Sequence, residues 1–94
     1  MLSKIPIELG AVGDENVDRE ILRAGIIAEL DAINLYEQMA ERAASKDIKR
    51  VLLDVAKEEK EHVGEFLTLL LRADTEQEKE LEEGRQEVKE LLGR

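Results

Sequence analysis

Two long stretches of this chain repeat apolar side chains at alternating steps of four and three, and that repeat leaves few folds open to it. Over residues 18–44 the stripe is Leu22, Ile26, Glu29, Ile33, Tyr36 and Ala40. Over residues 46–72 it is Ile48, Leu52, Val55, Glu59, His62, Phe66 and Leu69. Such steps trace one side of an α-helix, not the two-residue alternation of a strand. A turn of a few residues at 44–47 separates the stretches, which makes the helices antiparallel neighbours. The expected class is all-α, a two-helix hairpin.

Three segments follow from this reading: an irregular leader at 1–17, the hairpin at 18–73, and an acidic helix or tether at 74–94. The leader holds the only proline, Pro6, with Gly10 and Gly13 close behind, and suits a segment lying along a partner subunit. Asn16 or Asp18 is expected to cap the first helix, and Ser45 or Asp47 the second. Gly25 lies inside the first helix, where glycine is unfavourable unless something packs closely against the backbone. Asp74 and Thr75 ahead of Glu78 read as a capping box opening a short third helix. That helix is rich in Glu and Lys, its apolar positions Leu81, Val88, Leu91 and Leu92 are sparse, and Gly84 is expected to interrupt it.

One hairpin has more apolar surface than its two helices can cover. The first helix adds Ile21, Ile27, Leu30, Leu35 and Met39 to its stripe, and the second adds Val51, Leu53, Val63, Leu67, Leu70 and Leu71. An isolated hairpin of this size buries too little to be stable. Two copies related by a two-fold axis would form a four-helix bundle, and leftover apolar residues point to association of such dimers.

Glu29, Glu59 and His62 interrupt otherwise apolar stripes. A carboxylate held there without a partner costs several kcal/mol or takes up a proton. Metal coordination removes that penalty. Glu59 and His62 are three apart and project from neighbouring turns of one face, so they can share an ion. Two chains would bring four carboxylates and two imidazoles together, a set suited to bridging two ions and tolerant of ferrous and ferric iron. Tyr36, on the Glu29 stripe, is either a core aromatic bonded to a carboxylate or a group serving the site from behind. Asp31, Asn34, Glu58, Glu61 and Glu65 read as solvated side chains, Met39 as packing.

Composition narrows the function further. A net charge of −9, with 39% charged residues, repels phosphate backbones and argues against nucleic acid as partner. The absence of cysteine excludes disulfides, thiolate metal sites and a thiol nucleophile, and fits a reducing cytoplasm. No stretch is long and apolar enough to span a bilayer, and residues 1–10 lack a signal-peptide pattern. The expectation is a soluble intracellular protein.

The segments 28–36 (AELDAINLY) and 57–62 (KEEKEH), each on its apolar helix, resemble the encapsulated ferritins, two-helix ferritin-like proteins housed in encapsulin nanocompartments. The resemblance covers residues 18–73. It implies a ferroxidase centre in which Glu29, Glu59 and His62 from two subunits hold a di-iron site. It also implies oxidation of Fe(II) by dioxygen, assembly of dimers into a ring-like decamer, and delivery of ferric iron to an encapsulin shell for mineral storage. Ala28 stands where some members have a second acidic residue, Asp31 where a Glu serves an outer site, and Leu35 where an aromatic flanks the tyrosine. The tail has no clear shell-targeting peptide; residues 88–93 come nearest to one. Some members are fused to the shell protein, and this chain is compatible with such an internal domain.

Three readings follow. The leading one is an iron-oxidising storage protein. The second is a rubrerythrin-like peroxide-reducing protein, which ordinarily needs an additional cysteine-ligated electron-transfer centre. The third is a non-catalytic helical adaptor whose polar residues fix register.

Overall fold

A computed structural model describes residues 8–94. Pro6 and the first seven residues of the expected leader lie outside it. A 3-10 turn at Leu9–Ala11 is followed by three helices: α1 (Asp14–Arg42), α2 (Lys46–Ala73) and α3 (Thr75–Leu92). The described residues include no strand. The first two helices pack along each other as the expected hairpin.

The start of α1 differs from expectation, while the caps of α2 and α3 fall on residues the sequence offered. α1 begins at Asp14, so Asn16 and Asp18 lie inside it. The N-cap is Gly13, which uses no side chain; its carbonyl accepts the Asn16 N–H at 2.9 Å. Asp14 and Glu15 fill the first turn, where negative charge complements the helix dipole. α1 ends at Arg42, because Ala43 turns to extended geometry (ψ 132°) while its N–H still bonds Met39 O at 3.0 Å. Ser45 caps α2, its Oγ accepting the Ile48 N–H at 3.3 Å. The cap of α3 is Asp74, the first of the two residues in the expected capping pattern; its carboxylate accepts the Gln77 N–H at 3.0 Å. Gly84 does not interrupt α3, which continues to Leu92.

The hairpin buries little by itself. Its buried apolar residues, among those described, are Ile33, Ala40, Ala56 and Leu70. All six α1 stripe positions are buried or half-buried. On α2 the stripe drifts: Ile48 and Leu69 are 56% and 50% exposed, while Ala56 and Leu70 face α1. A straight helix turns 3.6 residues per turn, so a strict seven-residue repeat slips around it by about 20° per heptad. Leu70 is therefore core, not surplus surface. Of the other apolar residues read as surplus, Leu35, Val63, Leu67 and Leu71 are half-buried, while Ile21, Ile27, Leu30, Met39, Val51 and Leu53 remain exposed. Across the hairpin, Lys60 Nζ meets Glu37 Oε2 at 2.9 Å between exposed side chains.

Gly25 has a packing reason. A Cβ there would meet the Phe66 ring at 3.2 Å, so the absent side chain lets the ring lie against the α1 backbone. At the far end of α2 the chain turns through Asp74 alone, and the molecule spreads into a flat body of 46 × 44 × 19 Å. Leu81 is half-buried against the hairpin, and from residue 82 onward every residue is exposed.

Two outcomes follow. Gly25→Leu overfills the contact with Phe66 and should lower unfolding stability by about 1–3 kcal/mol, read as a shifted urea midpoint. The second concerns pH. The Asp74 carboxyl is held below its ordinary value of 3.8, first by the Gln77 N–H and then by Arg19 and Arg23, against the opposing pull of burial. A carboxyl lowered on folding contributes stability that is complete above 3.8 and lost as pH falls through its folded value. Wild type should therefore exceed Asp74→Asn in stability at neutral pH, with the gap closing below pH 3.8. A gap that persists unchanged into acid would contradict this.

Candidate metal centre

Glu29 sits near the middle of α1, Glu59 and His62 near the middle of α2. Each lies on a stripe whose neighbours pack toward the other helix, so the apolar pattern itself carries the three polar groups inward. Antiparallel pairing then sets the α1 carboxylate against the α2 pair. Each residue offers one ligand atom, and the three atoms lie within 4.8 Å of one another. His62 Nδ1 is the meeting point, 3.4 Å from Glu29 Oε2 and 3.4 Å from Glu59 Oε2. The three residues predicted from sequence are thus brought together.

Burial within the cluster is uneven. The Glu29 and Glu59 side chains are 17% and 19% exposed, that of His62 42%. Glu29 Oε2 is buried and has no hydrogen-bond partner; the nearby imidazole nitrogen does not meet it with hydrogen-bond geometry. A buried acceptor left in that condition costs about 1–3 kcal/mol, and more when charged. A divalent cation relieves the cost, because two carboxylates and one imidazole are the oxygen and nitrogen donors such an ion takes. The donor set and the orphaned oxygen both fit a bound metal.

The cluster is open on one side. His62 falls on the same face of α2 as Ile48, Val51 and Leu69, spaced at helical intervals and 56%, 62% and 50% exposed. The site's rim is therefore an uncovered apolar face. Tyr36 is half-buried, and among the described residues no hydrogen bond involves its hydroxyl, so the expected carboxylate bond is absent within one chain. Glu58, Glu61 and Glu65 are exposed and Asp31 is half-buried. One polar contact escaped sequence reasoning: Arg23 Nη2 pairs with Asp74 Oδ2 at 2.9 Å across 51 positions. The cap pattern flagged Asp74, but nothing in the sequence pointed to Arg23.

The orphaned oxygen yields a separable test. Glu29→Met replaces a half-buried carboxylate, one oxygen of which has no hydrogen-bond partner, with an apolar group of similar reach, so in chelator the variant should gain about 1 kcal/mol of unfolding stability. The same variant should bind cobaltous ion at least ten times more weakly than wild type by anaerobic titration. A variant both less stable without metal and undiminished in metal affinity would refute the assignment.

A family model described as rubrerythrin matches residues 20–92. The chain is 64% identical over 74 residues to a ferritin-like–encapsulin shell fusion protein of Pyrococcus furiosus, covering 79% of this chain and 21% of that one. It is 45% identical over 56 residues to the encapsulin nanocompartment cargo protein EncC of Myxococcus xanthus, covering 60% and 43%. The chain thus spans a fifth of the first relative's length and under half of the second's. A crystal structure of the encapsulated ferritin domain from Pyrococcus furiosus superposes with a TM-score of 0.85 at 53% identity, covering 100% of this chain and 98% of that one. With its all-helical ferritin-like fold, the chain belongs to the rubrerythrin family and, within it, to the encapsulated ferritins.

Proposed function

We propose that this chain is a ferroxidase whose working site is assembled from two copies, each contributing Glu29, Glu59 and His62. The observation that carries the proposal is the convergence of three ligand atoms within 4.8 Å on a partly buried seam, beside an exposed apolar face. Three ligands are too few to hold and neutralise two divalent ions. Six, four of them anionic, match two ferrous ions and leave room for dioxygen. The sparse core of a single hairpin independently supports a second copy on that face.

The substrates are Fe(II) and dioxygen. Each ferrous ion gives up one electron, so two ions held together supply the pair that, with two protons, takes one dioxygen to hydrogen peroxide. The protein's part is to bind and orient. Glu29 and Glu59 carry the negative charge that admits two dications and then favours the ferric products. His62 offers a ring nitrogen on the face that the second copy would cover, where it completes the ligand set. The apolar residues around the seam keep the carboxylates from full hydration and so keep them available as ligands.

Both relatives' names refer to encapsulins, and we extend this to the present chain: its partner is an encapsulin shell protein, inside whose compartment ferric iron is laid down as mineral. A ring-like decamer built from dimers is the assembly proposed for it, and the compartment lies in the cytoplasm. Among the described residues no helix is long and apolar enough to cross a membrane. A peroxide-reducing activity is the second reading, favoured by the family model's description.

Stopped-flow oxidation of ferrous ion in air tests the proposal. Glu59→Ala and His62→Ala should each slow oxidation at least tenfold while helix content stays unchanged, with wild type taking up about one iron per chain. Unchanged rates in both variants would return the chain to the adaptor reading. A reaction much faster with hydrogen peroxide than with dioxygen would favour the second.

A further inference from the structure

The corner between α2 and α3 consists of one residue. Ala73 and Thr75 are both helical, and only Asp74 is not, at φ −135° and ψ 91°. Asp74 nevertheless makes both main-chain hydrogen bonds a helical residue would make. Its N–H donates to Leu70 O at 2.9 Å, and its carbonyl accepts the Glu78 N–H at 3.2 Å. The helical bonds lost at the corner are those from the N–H groups of Thr75, Glu76 and Gln77. The Asp74 carboxylate replaces the last of them, taking the Gln77 N–H on Oδ1. Its other oxygen holds Arg23 of α1 at 2.9 Å. Nothing else in residues 72–78 stops a helix; the segment has neither glycine nor proline.

We propose that Asp74 is the latch of a two-state corner. Engaged with the Gln77 N–H and Arg23, its carboxylate holds α3 at its angle to α2. Disengaged, two dihedral angles change and α2 and α3 join in one helix from Lys46 to Leu92. The straight state gains three main-chain bonds and gives up the cap, the ion pair and the cover that Gln77 and Leu81 provide over Ile26 and Leu70, residues that line one groove with them. With the carboxylate engaged the losses outweigh the gains, and releasing it narrows the difference, which is the condition for a switchable element. Straightening would also open the Leu70 and Leu81 surfaces to a second copy. This device is separate from the metal-ligand cluster and stands whether or not that cluster oxidises iron.

The test is a distance measurement. The chain has no cysteine, so Arg50→Cys and Glu90→Cys, both at exposed positions, accept spin labels, with labelled chains diluted into unlabelled protein. One straight helix would set these positions about 60 Å apart at about 1.5 Å per residue. Wild type should give a single, clearly shorter distance. Asp74→Ala, which removes cap and ion pair together, should raise the straight-to-bent ratio about tenfold, as a second discrete peak near the long distance. Arg23→Gln keeps the cap and should give the same peak at smaller amplitude; it carries the test if Asp74→Ala does not yield folded protein. An unchanged distribution in both variants, or a continuous spread without a long-distance peak, overturns the proposal.

Discussion

The structure turns on a carboxylate placed where water does not satisfy it. Glu29 Oε2 is buried without a hydrogen-bond partner, in a seam that could have accepted leucine at that position. A hairpin with four buried apolar residues among those described has little stability to spare. Retaining the carboxylate makes physical sense when a cation meets it, and Glu59 and His62 stand within reach to complete the ligand set. Fold and site are thus one arrangement: the repeat that pairs the helices also sets the three ligands against each other.

The same economy explains why the chain looks unfinished. Exposed Ile48, Val51 and Leu69 continue the face on which His62 lies. Covering that face with a second copy would bury apolar area and deepen the metal site at once. Stability and metal affinity would then be linked: whatever strengthens the dimer raises the local concentration of ligands, and bound ions hold the dimer together.

The candidate metal-binding cluster was readable because its residues break a pattern. Glu29, Glu59 and His62 stand out only against the apolar stripes that surround them, and those stripes are local in sequence. Helix pairing and the short turn followed from the same periodicity. The start of α1 was not readable, because Gly13 caps it through its backbone and leaves no side-chain signature. The drift that exposes Ile48 and Leu69 reflects a helix pitch that a fixed step of four and three ignores. The Arg23–Asp74 pair joins residues 51 positions apart, and its existence depends on the direction α3 takes after the corner. Tyr36 was only half readable: its stripe position was plain, but among the described residues no hydrogen bond to its hydroxyl forms.

The central claim is that Glu29, Glu59 and His62 of two copies hold iron between them. Diffraction from crystals loaded anaerobically with ferrous ion, recorded on both sides of the iron absorption edge, tests it most directly. The account predicts anomalous density for two ions on the contact between copies, each bound by side chains from this set, with ligands drawn from both chains. Iron bound elsewhere, or within the ligands of one chain with no second copy on the Val51–His62–Leu69 face, would contradict it.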